Sequence, residues 1–220
     1  MHNVNKGIVD YYAQRAEEYD RVYQKPERQE DIASLRVTLK DLFVSHNVLE
    51  IACGTGFWTL PLAGAAQSIT STDVNEEVLA IARERTYSNC QPVFLKADAY
   101  GLSNISSDFS AAFAGFWLSH VPRQRISIFL NHLHSKLQDD ALVVFLDNNY
   151  VEGSNNPMSD YVDSEGNTYS QRRLSDGSCW EIIKNFPNEQ ELRQLVADVA
   201  YDVNYHTLTY YWMLSYRIRK

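Results

Sequence analysis

Between about His46 and Asp147 the chain switches repeatedly between two hydrophobic rhythms. Short apolar or β-branched runs, "HNVLEIA", "SITSTD", "PVFLKAD", "DFSAAFAGF" and "ALVVFLD", read as strands. Between them "FWTLPLAGAA" reads as a helix with Pro61 in or near its first turns. "NEEVLAIARERT" reads as another, capped by Asn75, and "RQRISIFLNHLHSKL" as a third. Strands joined through helices pair in parallel by right-handed crossovers, so this block predicts an open, doubly wound α/β sheet.

The flanks have other patterns. From about Val4 to Tyr23, and again from about Arg28 to Phe43, the spacing predicts amphipathic helices, with Pro26 between them. Residues from Asn148 to about Thr168 are polar and rich in Gly, Ser and Asn, which reads as a long loop. "TYSQRRLSDGSCWEIIKNF" follows as two alternating arms around Asp176-Gly177, a hairpin signal. "NEQELRQLVADVA" reads as a last helix and "DVNYHTLTYYWMLSYRIRK" as two closing strands. The expected whole is a Rossmann-like, mostly parallel sheet with N-terminal helices, an inserted β-hairpin and an antiparallel C-terminal strand. It is expected to be a single domain over 1–220: a helical cap (1–44), a ligand-binding core (45–147), a loop and hairpin insertion (148–186), and a C-terminal helix and strands (187–220).

Charge narrows the partners. With 20 basic against 28 acidic residues, the chain has no general pull on nucleic acid or anionic membranes, so a small molecule is the expected partner. Cys53, Cys90 and Cys179 are far apart, odd in number and without a CxxC, which excludes a disulfide framework and a zinc site. With no long apolar segment, the expected location is cytoplasmic. The expected assembly is a monomer or a homodimer.

"VLEIACGTGF" places Gly54 and Gly56 at the end of a strand and the start of a helix. Glycines there permit a tight bend and close approach of a ligand to backbone N–H groups. A dinucleotide fingerprint needs a third small residue two positions on, where Phe57, Trp58 and Thr59 stand instead. That crowding, with Glu50 just before the turn, disfavours a pyrophosphate, and so an NAD-dependent oxidoreductase. A carboxylate there suits a cationic or amine-bearing ligand. Asp73, about twenty residues on, is placed to accept from ribose hydroxyls, and Asp98 from an adenine amino group.

Together these residues resemble the class I S-adenosylmethionine-dependent methyltransferases. The N-terminal "YYAQRAEEYD" and "FWLSHVP" after the fourth strand also look like that family, while Ala52 departs from its frequent glycine. The resemblance implies S-adenosylmethionine as cofactor and S-adenosylhomocysteine as product. Glu50, Ala52, Gly54, Gly56, Asp73, Val74, Asp98 and Ala99 would hold the cofactor. Tyr19 and Tyr11 fall where the family's N-terminal helix folds over it, with helix packing as the plain alternative; Tyr11 is assigned toward the acceptor. Arg15 reads as solvated.

Methyl transfer is an in-line displacement, so a base is needed only if the nucleophile arrives protonated. His120 either accepts a proton, orients an oxygen, or merely caps the next helix. Phe116 is assigned to the cofactor and Trp117 to the acceptor, with core packing as the alternative for both. His132 and His134 read as solvated. Asp147 and Asn148 follow the fifth strand, but the fourth ends "AGFW" without a carboxylate, so a magnesium set is incomplete and no metal is expected. Asp147 is then free to face the substrate.

Arg172, Arg173 and Lys184 sit on the hairpin arms of an otherwise acidic chain. Arg172 and Lys184 on one face suit capture of a phosphonate, phosphate or carboxylate; protection of an edge strand is the alternative. "GTGFWT", "WLSHVP" and "RRLSDGSCWEIIKNF" resemble phosphonate O-methyltransferases, which implies an acidic oxygen as nucleophile. N- or C-methylation of a neutral metabolite, or cofactor binding without catalysis, are the competing readings.

Overall fold

A computed structural model describes residues 4–220, with side chains from Gly7 onward; the first residues of the expected cap lie outside the described ones. In chain order the helices are α1 (Val4–Gln14), α2 (Gln29–Leu42), α3 (Thr59–Ala63), α4 (Glu76–Glu84), α5 (Ile126–His134) and α6 (Glu189–Val196). The strands are β1 (Asn47–Ile51), β2 (Ser68–Asp73), β3 (Val93–Lys96), β4 (Phe109–Gly115), β5 (Leu137–Asn148), β6 (Met158–Val162), β7 (Thr168–Arg173), β8 (Cys179–Ile183), β9 (Ala200–Thr207) and β10 (Tyr211–Ile218).

Seven strands form one sheet in the order β3-β2-β1-β4-β5-β10-β9. The first five pair in parallel, while β10 runs antiparallel to both β5 and β9. Strand order reverses beside β1, so the crevice between the carboxyl ends of β1 and β4 is the topological switch point where open α/β sheets bind ligands.

Both faces are covered, which is why the inner strands are continuously apolar. Along β4, Ala111 and Phe113 join Leu35, Leu39, Phe43 and Leu62 of α2 and α3 on one side. Ala112 and Ala114 meet Phe129, Leu133, Leu192 and Val196 of α5 and α6 on the other. This two-residue alternation within an all-apolar run places the central strands in the middle layer. α2 buries Ile32, Leu35 and Leu39 at helical spacing. α6 begins with a reciprocal capping box: Asn188 accepts from the Glu191 N–H, and Glu191 accepts from that of Asn188.

Four expectations change. The first helical stretch breaks at Arg15 into α1 and a 3₁₀ run, Ala16–Gln24. α3 is confined to five residues and closes at Gly64, whose N–H caps the carbonyls of Leu60 and Pro61. Asn75 does stand at the start of α4, but its side-chain amide donates to Val9 O and makes no cap. The expected loop from Asn148 to Thr168 contains β6, so the insertion is a three-stranded antiparallel sheet, β6-β7-β8, built on the expected hairpin. β6 is mostly solvent-facing and polar, so it carries no hydrophobic alternation to betray it. Among the described residues no helix is long and apolar enough to cross a membrane.

Candidate active site

The turn after β1 is bent through left-handed backbone at Ala52, Gly54 and Gly56 (φ +53°, +55° and +78°), conformations that favour glycine. The two glycines answer different needs. A Cβ on Gly54 would lie 3.7 Å from the Tyr19 ring, at the edge of an open cleft. A Cβ on Gly56 would stand 2.6 Å from Tyr87 Oη and 3.1 Å from Ala82 Cβ. Gly56 therefore lets the turn press onto α4 and does not line the cleft.

Asp73, closing β2, secures this turn. One of its oxygens accepts from Gly54 N (2.9 Å) and the other from Asn75 N (2.9 Å). Burial raises its pKa against the pull of those amides. Glu50 lies beneath the turn and is buried; one oxygen accepts from Thr59 (2.7 Å) and Ser71 (2.6 Å), and the other has no partner. Desolvation pushes its pKa up to about 7, although the two hydroxyls favour the carboxylate. Asp98 stands exposed at the far rim, accepting from Tyr100 N (2.9 Å).

The cleft, about 930 Å³, runs along the sheet's carboxyl edge past Gly54, Asp73, Val74, Asp98 and Ala99. It ends at Tyr12, Tyr19, Phe116, Trp117 and His120. A second chamber of about 590 Å³ lies beyond, and Tyr12, Tyr19, Phe116 and His120 line both. These four form a shared wall. Phe116 is held there in the left-handed region (φ +59°) by an N–H bond to Leu146 O (2.6 Å), strain of the kind that collects at functional sites.

The second chamber has a different chemistry. Arg15, Lys25, Arg28, Arg172 and Lys184 line it, with Asn148, Ser154 and Tyr211, and no carboxylate does. Pairing of Arg172 with Trp180, and of Lys184 N with Thr168 O, puts Arg172 and Lys184 on one face of the β7–β8 ribbon. Lys184 is only 3% exposed and donates to Ser119 Oγ (2.6 Å) and Asp147 Oδ1 (2.8 Å). Asp147, fully buried, also accepts from the backbone N–H of Ser119 and Asn148. The adjacent ammonium holds its carboxyl below the usual range, while burial pulls the Lys184 pKa down against that attraction. Arg172 keeps a buried Nε without a partner.

His120 stands on the 3₁₀ turn Leu118–His120. Its Nδ1 lies 2.6 Å from Ile183 O, and a carbonyl only accepts, so Nδ1 carries the proton. In the neutral ring Nε2 then accepts from Tyr12 Oη (2.9 Å). Burial and the nearby Lys184 charge hold the imidazole pKa well below its usual value, so the ring is neutral at pH 7.

Residues 48–140 match the methyltransferase domain family. Two solved structures of DhpI superpose over nearly the whole chain. The complex with SAM and HEP has a TM-score of 0.80 at 26% identity, covering 99% of each chain. The complex with SAH has 0.76 at 25%, covering 100% of this chain and 98% of that one. Over these residues, and in its fold over nearly its whole length, the chain is similar to the class I S-adenosylmethionine-dependent methyltransferases. A demethylmenaquinone methyltransferase of Staphylococcus aureus (strain MRSA252) is 29% identical over 114 residues, 50% of this chain and 46% of that one. The methyltransferase match thus spans less than half the length of that curated relative.

Several expectations about the site change. Tyr11 is buried against Leu174 and Ile182 and faces neither chamber; its neighbour Tyr12 does. One residue along a helix turns the side chain by about 100°, so of two adjacent tyrosines only one reaches the wall. Glu50 lies under the turn and not in the cleft wall. Trp117 lines the cleft, not the basic chamber. Arg15 is half-buried, its guanidinium 5.2 Å from the Tyr19 ring. Asp147 is sealed in its ion pair and faces no open space. His134 bonds Tyr216 Oη (2.8 Å). Tyr12, Lys25, Arg28 and Ser154 had no signal in the sequence beyond composition, because distant segments bring them together.

Proposed function

We propose that this protein transfers a methyl group from S-adenosylmethionine to an oxygen of a small anionic acceptor, a phosphonate or carboxylate. The observation that carries the reading is a chamber whose charged lining residues are all cationic, sharing a wall with the glycine-turn cleft.

The cleft fits the cofactor's chemistry. Asp73 already accepts two amides, and its remaining lone pairs suit ribose hydroxyls. Asp98 at the rim suits an adenine amino group, flanked by Ala99, and Val74 gives the ring an apolar face. Glu50, with one unpartnered oxygen under the turn, would be drawn to its charged form by an ammonium-bearing ligand above it. Ala52, Gly54, Tyr19 and Phe116, which line the same cleft, would hold the methionine end. Bound S-adenosylmethionine supplies an electrophilic methyl carbon; as the acceptor oxygen's lone pair forms the C–O bond, the C–S electrons return to sulfur, giving S-adenosylhomocysteine.

An anionic oxygen arrives deprotonated and needs no base. His120, neutral and with both ring nitrogens engaged, therefore positions the Tyr12 ring in the wall and does not abstract a proton. Arg172 and Lys184 bind the acceptor's charge. The aromatic wall of Tyr12, Tyr19 and Phe116 keeps competing water from the line of transfer. The test is formation of S-adenosylhomocysteine by the full chain with a panel of small phosphonates, carboxylates, amines and alcohols. Turnover confined to the anions supports the reading; turnover of amines or neutral alcohols with none of the anions would overturn it.

A further inference from the structure

The basic chamber holds more positive charge than one anionic group needs. Arg28 is 2% exposed, yet its donors go only to neutral oxygens: Ser154 Oγ (3.0 Å), Ser154 O (3.0 Å) and Asn148 Oδ1 (3.2 Å). Lys25 also donates to Ser154 O. Among the described residues neither Arg28, Lys25, Arg15 nor Arg172 forms an ion pair with a carboxylate.

The acids near the chamber do not balance this. Asp147 is committed to Lys184. Glu27, exposed, is linked to Arg28 through Ser154 Oγ, which accepts from Arg28 and donates to Glu27 (2.8 Å), and forms no ion pair with Arg28 or Lys25. Glu18 lies near Arg15, although it also pairs with Arg21; Arg172 and one member of the Lys25–Arg28 pair are left without counter-charge. A phosphonate held at Arg172 and Lys184 would offset the former where it binds and leave the latter to a second anionic group. Uncompensated buried charge is strongly unfavourable, so such an arrangement persists where a ligand completes it. Mutual repulsion also lowers the pKa of Lys25, beside Arg28 and Arg172, after the larger effect of burial.

We propose that the acceptor carries two anionic groups, the first held by Arg172 and Lys184 on the insertion and the second by Arg28 and Lys25 on the N-terminal segment. A phosphonate or phosphate bearing a carboxylate is the class that fits. This rests on the anionic-acceptor reading above and narrows it.

Calorimetric titration of the S-adenosylhomocysteine-saturated full chain tests it, with methylphosphonate, phosphonoacetate, 3-phosphonopropionate and 2-aminoethylphosphonate as probes. At least one phosphonocarboxylate is expected to bind about tenfold or more tighter than methylphosphonate, and the aminophosphonate more weakly. Arg28→Gln should shrink the phosphonocarboxylate advantage about fivefold or more. Lys25→Gln, at a half-buried position, repeats the comparison without cutting the buried Arg28 contacts. Equal affinity for all four probes, tighter binding of the aminophosphonate, or an advantage retained in both variants would overturn the proposal. If S-adenosylhomocysteine binds and no phosphonate does, the anionic-acceptor reading falls first and this inference with it.

Discussion

The two chambers on either side of the Tyr12–His120 wall are built in opposite ways. The cleft is made largely by one stretch, Ala52 to Ala99 and the end of β4, and its key contacts are backbone turns held by Asp73. The basic chamber draws Arg15, Lys25 and Arg28 from the N-terminal segment, Asn148 from the end of β5, Ser154 from beyond it, and Arg172 and Lys184 from the insertion. A local construction fixes a ligand by chain geometry. One assembled from distant segments can change its acceptor while the sheet stays the same.

The largest effect is expected at the buried ion pair that anchors the basic chamber. Asp147→Ala leaves the Lys184 ammonium buried without its partner and should cost about 3–5 kcal/mol of stability in chemical denaturation. Asp147 is held below its unfolded pKa, so its contribution is present above that value and is lost as pH falls through the folded one. Little loss at pH 7 would mean that Lys184 is neutral in the fold.

Glu50 tests the other side with the opposite sign. Its pKa rises from the usual 4.5 to about 7, so the protonated form favours the fold. That stabilisation is complete below 4.5, is lost as pH rises through about 7, and amounts to up to ~3 kcal/mol. Glu50→Gln should flatten this slope in the ligand-free protein and weaken S-adenosylmethionine binding. An unchanged slope would show that water reaches the carboxylate.

Two further substitutions separate the chambers. Asp73→Ala should weaken S-adenosylhomocysteine binding by ~1–3 kcal/mol, because hydroxyl partners and the Gly54 amide lose their acceptor. Arg172→Ala should raise the KM for an anionic acceptor by a comparable ~1.5–3 kcal/mol while leaving cofactor affinity alone. Equal loss of both ligands in either variant would collapse the distinction. The smallest effect is expected from Tyr12→Phe, which removes one bond to neutral His120, ~0.5–1.5 kcal/mol in acceptor binding.

The same contrast explains what could be read in advance. The doubly wound sheet and the cleft follow from alternation and from Gly54, Asp73 and Asp98, because each of these acts within a strand–turn–helix unit visible in sequence. Arg172 and Lys184 were legible from strand parity across the hairpin. Arg28 was not, since burial of a charged residue at the head of α2 depends on Ser154, which lies 126 positions away. Tyr12 and Tyr11 are indistinguishable until the start of α1 sets their helical phase. Gly56 and Glu50 were seen as ligand contacts because sequence reveals a turn but not which of its sides is open.

The most direct test of two adjoining chambers is titration of S-adenosylhomocysteine into the full chain, without and then with saturating methylphosphonate. Binding in both conditions, with affinity changed by no more than about threefold, is the predicted result. Loss of S-adenosylhomocysteine binding in the presence of the phosphonate would contradict it, leaving one shared site where two are described.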